Sequence, residues 1–190
     1  RDTPPSSAHR YLEELEAQIK VRHPGAKLAT LGGRFFGMDR DHNWERTDKS
    51  FNVLIKREGK KYPTAADALA HNYKAGVTDE YVEPACIEVG PGEEGAICSH
   101  DAVIFVNFRN DRTRQLTERF LSQGPEDLTY VTMTQYSPEY QVDVAYPLVD
   151  AGTTIGQVIS EAGLKQLRVS ETEKFPHMTF FLNCKKEEAF

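Results

Sequence analysis

The stretch AVIFVNFRNDRTRQLTERFLSQG, residues 102–124, limits the possible folds more than any other part of the chain. Its first seven residues are almost continuously apolar, the pattern of a strand covered on both faces. After a charged turn, the apolar residues recur at helical spacing. A strand, a turn rich in arginine and a helix therefore follow one another. The same alternation runs along the rest of the chain. Ala8, Tyr11, Leu12, Leu15 and Ile19 predict an amphipathic helix over residues 7–20, capped by Ser6-Ser7 and stopped by Pro24-Gly25. KLATL (27–31) reads as a short strand ending in Gly32-Gly33. A helix is predicted over 45–56 with Phe51, Leu54 and Ile55 inward, and another after Pro63 with Thr64 as cap, ending near Gly76. LTYVTMTQY, LRVSE and MTFFLN (178–183) read as further strands, TIGQVISEAG as a helix and PGEEG (91–95) as a surface turn. Strands alternating with helices predict an α/β domain, layered α/β/α, with a mainly parallel sheet.

Composition narrows the function. With 23 basic and 29 acidic residues the net charge is −6, so a phosphate polymer would be repelled and nucleic acid is excluded as the expected partner. No run approaches the roughly 18 apolar residues a membrane span needs, and RDTPPSSAHR lacks a signal peptide's apolar middle. The expectation is a cytoplasmic protein with no membrane partner. The chain opens on Arg1 rather than Met, and RDTPP is too polar to begin a domain, so a piece of a longer polypeptide is expected. Cys86, Cys98 and Cys184 lack the spacing of a zinc site, and the six histidines show neither HxH nor HExxH, so no metal ligand is expected in the chain.

The chemistry gathers on arginines in turns: GGRFFGMDRD (32–41), NFRNDR (107–112) and the opening RD. In α/β sheets, anions bind beyond the carboxyl ends of strands, where helix N-termini present free N–H groups. Asp111 is placed to cap the following helix, leaving Arg109 and Arg112 to offer guanidinium forks to a phosphate or carboxylate. At about 1.5–3 kcal/mol per charge-assisted bond, two or three arginines would hold a small dianion at micromolar to millimolar affinity. Alternatively these arginines form surface ion pairs worth about 0–1 kcal/mol each, Asp39 and Asp41 neutralising Arg40.

GRFFGMDRDHNWER, VIFVNFRNDRTRQLT and LRVSETEKFPHMTFFLN, with the opening RDTPP, resemble the cofactor-independent phosphoglycerate mutases over nearly the whole chain. The resemblance implies a metal-dependent domain of the alkaline phosphatase type, with a serine nucleophile and two Mn2+ ions, into which a substrate-gripping domain is inserted. Residues 1–148 would be most of the inserted (transferase) domain, and 149–190 the hinge and the start of the returning phosphatase-like α/β domain. Residue by residue, it implies that Arg1, Arg34, Arg40, Arg109, Asn110, Asp111 and Arg112 bind 2-/3-phosphoglycerate. Asp2 would bind it too and shuttle protons on the glycerate hydroxyls, and Lys174 would reach the phosphate from the phosphatase side. The implied activity is interconversion of 3-phosphoglycerate and 2-phosphoglycerate through a phosphoserine, in glycolysis or gluconeogenesis, by a monomeric isomerase. The serine motif and the metal motifs find no match here, so the segment by itself is expected to be inactive. A non-catalytic phosphoglycerate-binding module is the alternative, and hydrolysis of a related phosphomonoester a third. Where the family carries glycines after Asn183, this chain has Cys184 and Lys185, which would be strained at positive φ.

Overall fold

A computed structural model of the protein describes residues 3–91, 95–147 and 152–184. The chain divides into two compact units, Arg1–Tyr146 and Pro147–Phe190. The expected junction at 148/149 lies outside the described residues, as does most of PGEEG.

The first unit runs α1 (Ala8–Arg22), β1 (Thr30–Leu31), α2 (Arg34–Gly37), α3 (Trp44–Lys56), β2 (Lys60–Tyr62), α4 (Ala65–Lys74), a 3-10 turn (Asp79–Tyr81), β3 (Ala85–Ile87), β4 (Ala102–Phe105), α5 (Arg114–Gln123), β5 (Thr129–Thr134) and β6 (Asp143–Tyr146). Its strands form two small sheets. In the order β1-β3-β2, β1 is antiparallel to β3 and β2 is parallel to it. In the order β4-β5-β6, both pairings are parallel. The α/β class with mainly parallel pairing therefore holds.

Local chemistry explains the helix limits. Thr64 Oγ1 accepts the Asp67 N–H at 3.1 Å, fixing the start of α4. Arg57 ends α3 in the left-handed region at φ 57° and donates its guanidinium to the carbonyls of Ala29 and Ile87, which ties the helix end to the first sheet. Tyr62, Ala65, Ala68, Ala85 and Ile87 form one core cluster; Phe51, Leu116, Phe120 and Tyr130 form another beneath β4 and β5. Phe51 is inward as its spacing predicts, with Leu54 and Ile55 packed beside it.

Several expectations are corrected. In α1 no residue is buried: Tyr11 and Leu15 are exposed, and Leu12 packs against the core from its edge. Ser7 does not cap α1 through its side chain; Asp79 does so from across the unit. In β4, Val103 and Phe105 pack on the core while Ile104 is 62% exposed, so among the described residues of this unit the strand is covered on one face and not both.

The second unit begins its described structure with α6 (Ile155–Glu161), started by Thr154 Oγ1 accepting from the Gln157 N–H at 3.3 Å. LRVSE has no regular structure, and MTFFLN is not a strand: Thr172–Lys174 form a 3-10 turn and His177–Phe181 a π-helical turn. Short apolar runs fit strand or helix equally, and Pro176, with φ −61° already helical, sets the second. No strand occurs among the described residues of this unit for these runs to pair with. Arg168 stands in for a ladder, donating to the Met178 carbonyl at 3.1 Å and to buried Asn183 Oδ1 at 2.6 Å. No helix among the described residues is long and apolar enough to cross a membrane.

Candidate functional site

The loop between β4 and α5 is braced from behind by the end of β5. Buried Tyr136 donates its hydroxyl to the carbonyls of Phe105 (2.9 Å) and Asn107 (2.6 Å), and Thr134 Oγ1 donates to that of Phe108 at 2.9 Å. Arg114 Nε reaches back to the Tyr136 carbonyl at 2.9 Å, while Thr113 donates its hydroxyl to Asn110 O at 2.8 Å. These bonds leave the backbone of 105–114 little freedom and hold Arg109, Asp111 and Arg112 at the strand's carboxyl end.

Asp111 is the centre of the cluster. Arg109 grips it with two bonds, Nε to Oδ1 at 2.5 Å and Nη2 to Oδ2 at 2.8 Å, and Arg40 Nη1 donates to the same Oδ2 at 2.9 Å. The expected cap is thus corrected: Asp111 bridges two arginines, and Thr113 occupies the N-cap of α5. Burial would raise the Asp111 carboxyl, but the hydrogen bonds from Arg109 and Arg40 outweigh it and hold the pKa below its ordinary value. Arg112 moves the other way, lowered first by burial and then by repulsion from Arg34 and Arg40. Arg112 thus feels the positive charge of arginines more than 70 positions earlier in the chain. Arg112 also donates to the Met38 carbonyl at 2.9 Å, which joins the two arginine loops. Asn110 is buried, and its Oδ1 has no hydrogen-bond partner among the described residues.

Loop 38–43 is built around Asp39, not Arg40. The buried Asp39 carboxylate accepts from the Asp41 N–H (3.1 Å), the Asn43 N–H (2.9 Å), Asn43 Nδ2 (3.1 Å), Arg46 Nη1 (3.2 Å) and Gln115 Nε2 (3.0 Å). Burial opposes its ionisation, yet the bonds from Asn43, Gln115 and Asp41 prevail and lower its pKa. Asp39 pairs with Arg46, so the ion pair Asp39–Arg40 expected as the alternative is replaced by Arg40–Asp111. Gln115 completes the link by accepting the His42 N–H at 2.9 Å and donating to Thr47 Oγ1 at 2.9 Å.

Of the residues singled out from the sequence, Arg34, Arg40, Arg109, Asn110, Asp111 and Arg112 come together in the first unit. Arg34 also faces Glu80 at 3.6 Å. Lys174 is exposed on the 3-10 turn of the second unit. Arg1 and Asp2 lie outside the described residues. Sequence reasoning missed Gln115 and Tyr136, because a glutamine on a helix and a tyrosine ending a strand carry no local mark of a long-range partner. A concavity of about 750 Å3 elsewhere in the first unit, lined by Lys56, Arg57, Lys61 and Glu88 among others, is a weaker candidate. Its guanidinium, that of Arg57, is committed to backbone carbonyls. Among the described residues no group of three or more His, Cys, Asp or Glu is placed to hold a metal ion. Among the described residues, the Mn2+ pair that the resemblance implies therefore finds no fitting donor set.

Residues 1–138 match the family described as the BPG-independent PGAM N-terminus. The chain belongs to this family. Among its relatives, the 2,3-bisphosphoglycerate-independent phosphoglycerate mutase of Moorella thermoacetica is 41% identical over 199 residues, an alignment covering all of this chain and 39% of that protein. The enzymes of the same description from Haloarcula marismortui and Anaplasma phagocytophilum are 40% and 42% identical, again over the whole chain, which spans 38% and 37% of their lengths. The fold matches a crystal structure of Leishmania mexicana phosphoglycerate mutase at low cobalt concentration, with TM-score 0.80 and 29% identity over 99% of this chain and 38% of that one.

Proposed function

We propose that this chain is the substrate grip of a phosphoglycerate mutase independent of 2,3-bisphosphoglycerate, with residues up to 148 forming the transferase domain and the rest returning to a phosphatase-like domain. The reaction of the whole enzyme is the interconversion of 3-phosphoglycerate and 2-phosphoglycerate through a phosphoserine. It would take place in the cytoplasm with Mn2+ bound by residues outside this segment. The reading is supported most by Arg40 and Arg109 meeting on the Asp111 carboxylate at the carboxyl end of β4, with Arg112 beside them bonded to the Met38 carbonyl and feeling the charge of Arg34. Guanidinium forks bind carboxylate and phosphate with paired hydrogen bonds, and in phosphoryl transfer most of the protein's contribution is positioning and charge stabilisation.

In this role Asp111 holds Arg40 and Arg109 together until an anion competes for their donors. The phosphorylated acid then exchanges places with part of that internal contact, and the freed glycerate stays held while it reorients. Asp2 would carry the hydroxyl proton and Lys174 would meet the phosphate. Isothermal titration of the protein with 3-phosphoglycerate tests the grip: saturable binding is expected, and Arg109→Ala should weaken it by about 1.5–3 kcal/mol. Unchanged affinity would assign Arg109 to a surface ion pair. Sustained mutase turnover by the 190-residue chain with added Mn2+ would contradict the division of labour.

A further inference from the structure

Loop 38–43 carries Arg40, the loop leading into α5 carries Arg109 and Arg112, and the two loops meet in two kinds of contact. The first runs through guanidinium groups: Arg40 donates to Asp111 Oδ2 at 2.9 Å and Arg112 to the Met38 carbonyl at 2.9 Å. Both bonds use donors that a bound anion would claim. The second runs through Gln115, which lies in the first turn of α5, is 4% exposed and involves no guanidinium. Its Oε1 accepts the His42 N–H at 2.9 Å, and its Nε2 donates to Asp39 Oδ2 at 3.0 Å and to buried Thr47 Oγ1 at 2.9 Å.

Chemistry fixes which end of this amide faces which partner. A backbone N–H requires the oxygen and a carboxylate requires the nitrogen, so a flip would break the bonds to both His42 and Asp39. His42 stands at φ 59°, left-handed for a residue with a Cβ. Its N–H is flanked by those of Asp41 and Asn43, which Asp39 Oδ2 accepts at 3.1 and 2.9 Å. Three successive amides thus find two acceptors, Asp39 and Gln115, that are bonded to each other. Asp39 belongs to the loop it closes. Gln115 belongs to the helix that follows Arg109 and Arg112, 73 positions beyond His42. Sliding one loop against the other must therefore stretch the Gln115 bonds.

We propose that Gln115 is a positioning residue that keeps Arg40 in register with Arg109 and Arg112 while the guanidinium groups change partners. It touches no ligand in this role, which deepens the phosphoglycerate grip proposed above and rests on it. The consequence is selectivity by span. A ligand with an anionic group at each end senses the spacing between the two loops, whereas a lone phosphate can be held by the donors of one.

Titrations of the protein with 3-phosphoglycerate and with inorganic phosphate test it. Gln115→Met keeps the length of the side chain and removes its hydrogen bonds. It should bind 3-phosphoglycerate about tenfold more weakly and inorganic phosphate within about twofold of the unaltered protein. In Gln115→Glu near pH 8 the introduced carboxylate can still accept from His42, but it opposes Asp39, whose Oδ1 faces Arg46, and the same selective loss is expected. Burial and Asp39 raise the introduced carboxyl, so a fall to about pH 5 should protonate it, restore a donor and return the ratio of the two affinities toward that of the unaltered protein. Comparison at equal pH removes the titration of the His42 imidazole and of the ligands themselves. This second variant also carries the test if Gln115→Met does not fold. Equal weakening of both ligands, no weakening, or a ratio in Gln115→Glu that ignores pH would make Gln115 a purely structural residue and overturn the proposal, leaving the grip in place. If the unaltered protein binds no 3-phosphoglycerate, the grip reading fails and the positioning role falls with it.

Discussion

Replacing Asp39 by alanine should be among the most damaging single changes in the first unit. Its carboxylate accepts five hydrogen bonds at 2.9–3.2 Å, from Asp41, Asn43 twice, Arg46 and Gln115. The Arg46 side chain is 35% exposed and can turn to water, as can the loop amides at some cost. Gln115 is 4% exposed and cannot, so its freed Nε2 donor keeps only Thr47 Oγ1. An under-satisfied buried donor costs about 1–3 kcal/mol, and losing the bonds to a charged acceptor costs about 1.5–3 more, so a total near 3–5 kcal/mol is expected. Urea unfolding at neutral pH measures it. The same variant should bind 3-phosphoglycerate more weakly, because Arg40 and the Met38 carbonyl that receives Arg112 sit on the loop Asp39 holds. A destabilisation under about 1 kcal/mol would refute the view that this carboxylate organises the loop.

The Asp39 and Asp111 carboxyls both titrate below the ordinary value of 3.8 in the folded state. Their stabilisation is therefore complete above that value and is lost as pH falls through the depressed folded values, so unfolding free energy should drop steeply below about pH 4 and less steeply in Asp39→Asn. Gly33→Ala, which forces a Cβ to 2.4 Å from Glu80 O, should cost about 1–3 kcal/mol in thermal or urea unfolding. Cys184 adopts φ 53°, where the resemblance implies glycine, so Cys184→Gly should raise stability by up to about 1 kcal/mol, the relief of left-handed strain less the added chain entropy. A loss of stability in that variant would mean that the Cys184 side chain makes compensating contacts.

What the sequence disclosed depended on how far apart the interacting residues lie. Helices α3, α4 and α5 were legible from local spacing and, for α4, from the Thr64 cap. The arginines were legible from their turn positions, and their company from the family motifs. The role of each aspartate was not. Asp39 and Asp111 sit next to arginines in the chain, yet Asp39 serves Gln115 and Arg46, and Asp111 serves Arg40 from 71 positions away. The strands expected in LRVSE and MTFFLN failed for a different reason. An apolar run specifies burial but not period, and a strand needs a neighbour that no local pattern reveals. β2, β3 and β6, three or four residues each, were not anticipated from the sequence.

Tyr136 carries a consequence for affinity. With its hydroxyl bonded to two carbonyls of the loop and its ring edge-on to Phe105 at 5.6 Å, it acts as a splint beneath the guanidinium groups. A splinted loop has already surrendered its backbone entropy during folding, so capture of a small anion does not have to immobilise it again. A molecule of so few atoms offers little contact area to offset such an ordering penalty, and weak, freely exchanging ligands of this kind are retained best by receptors that are stiff beforehand.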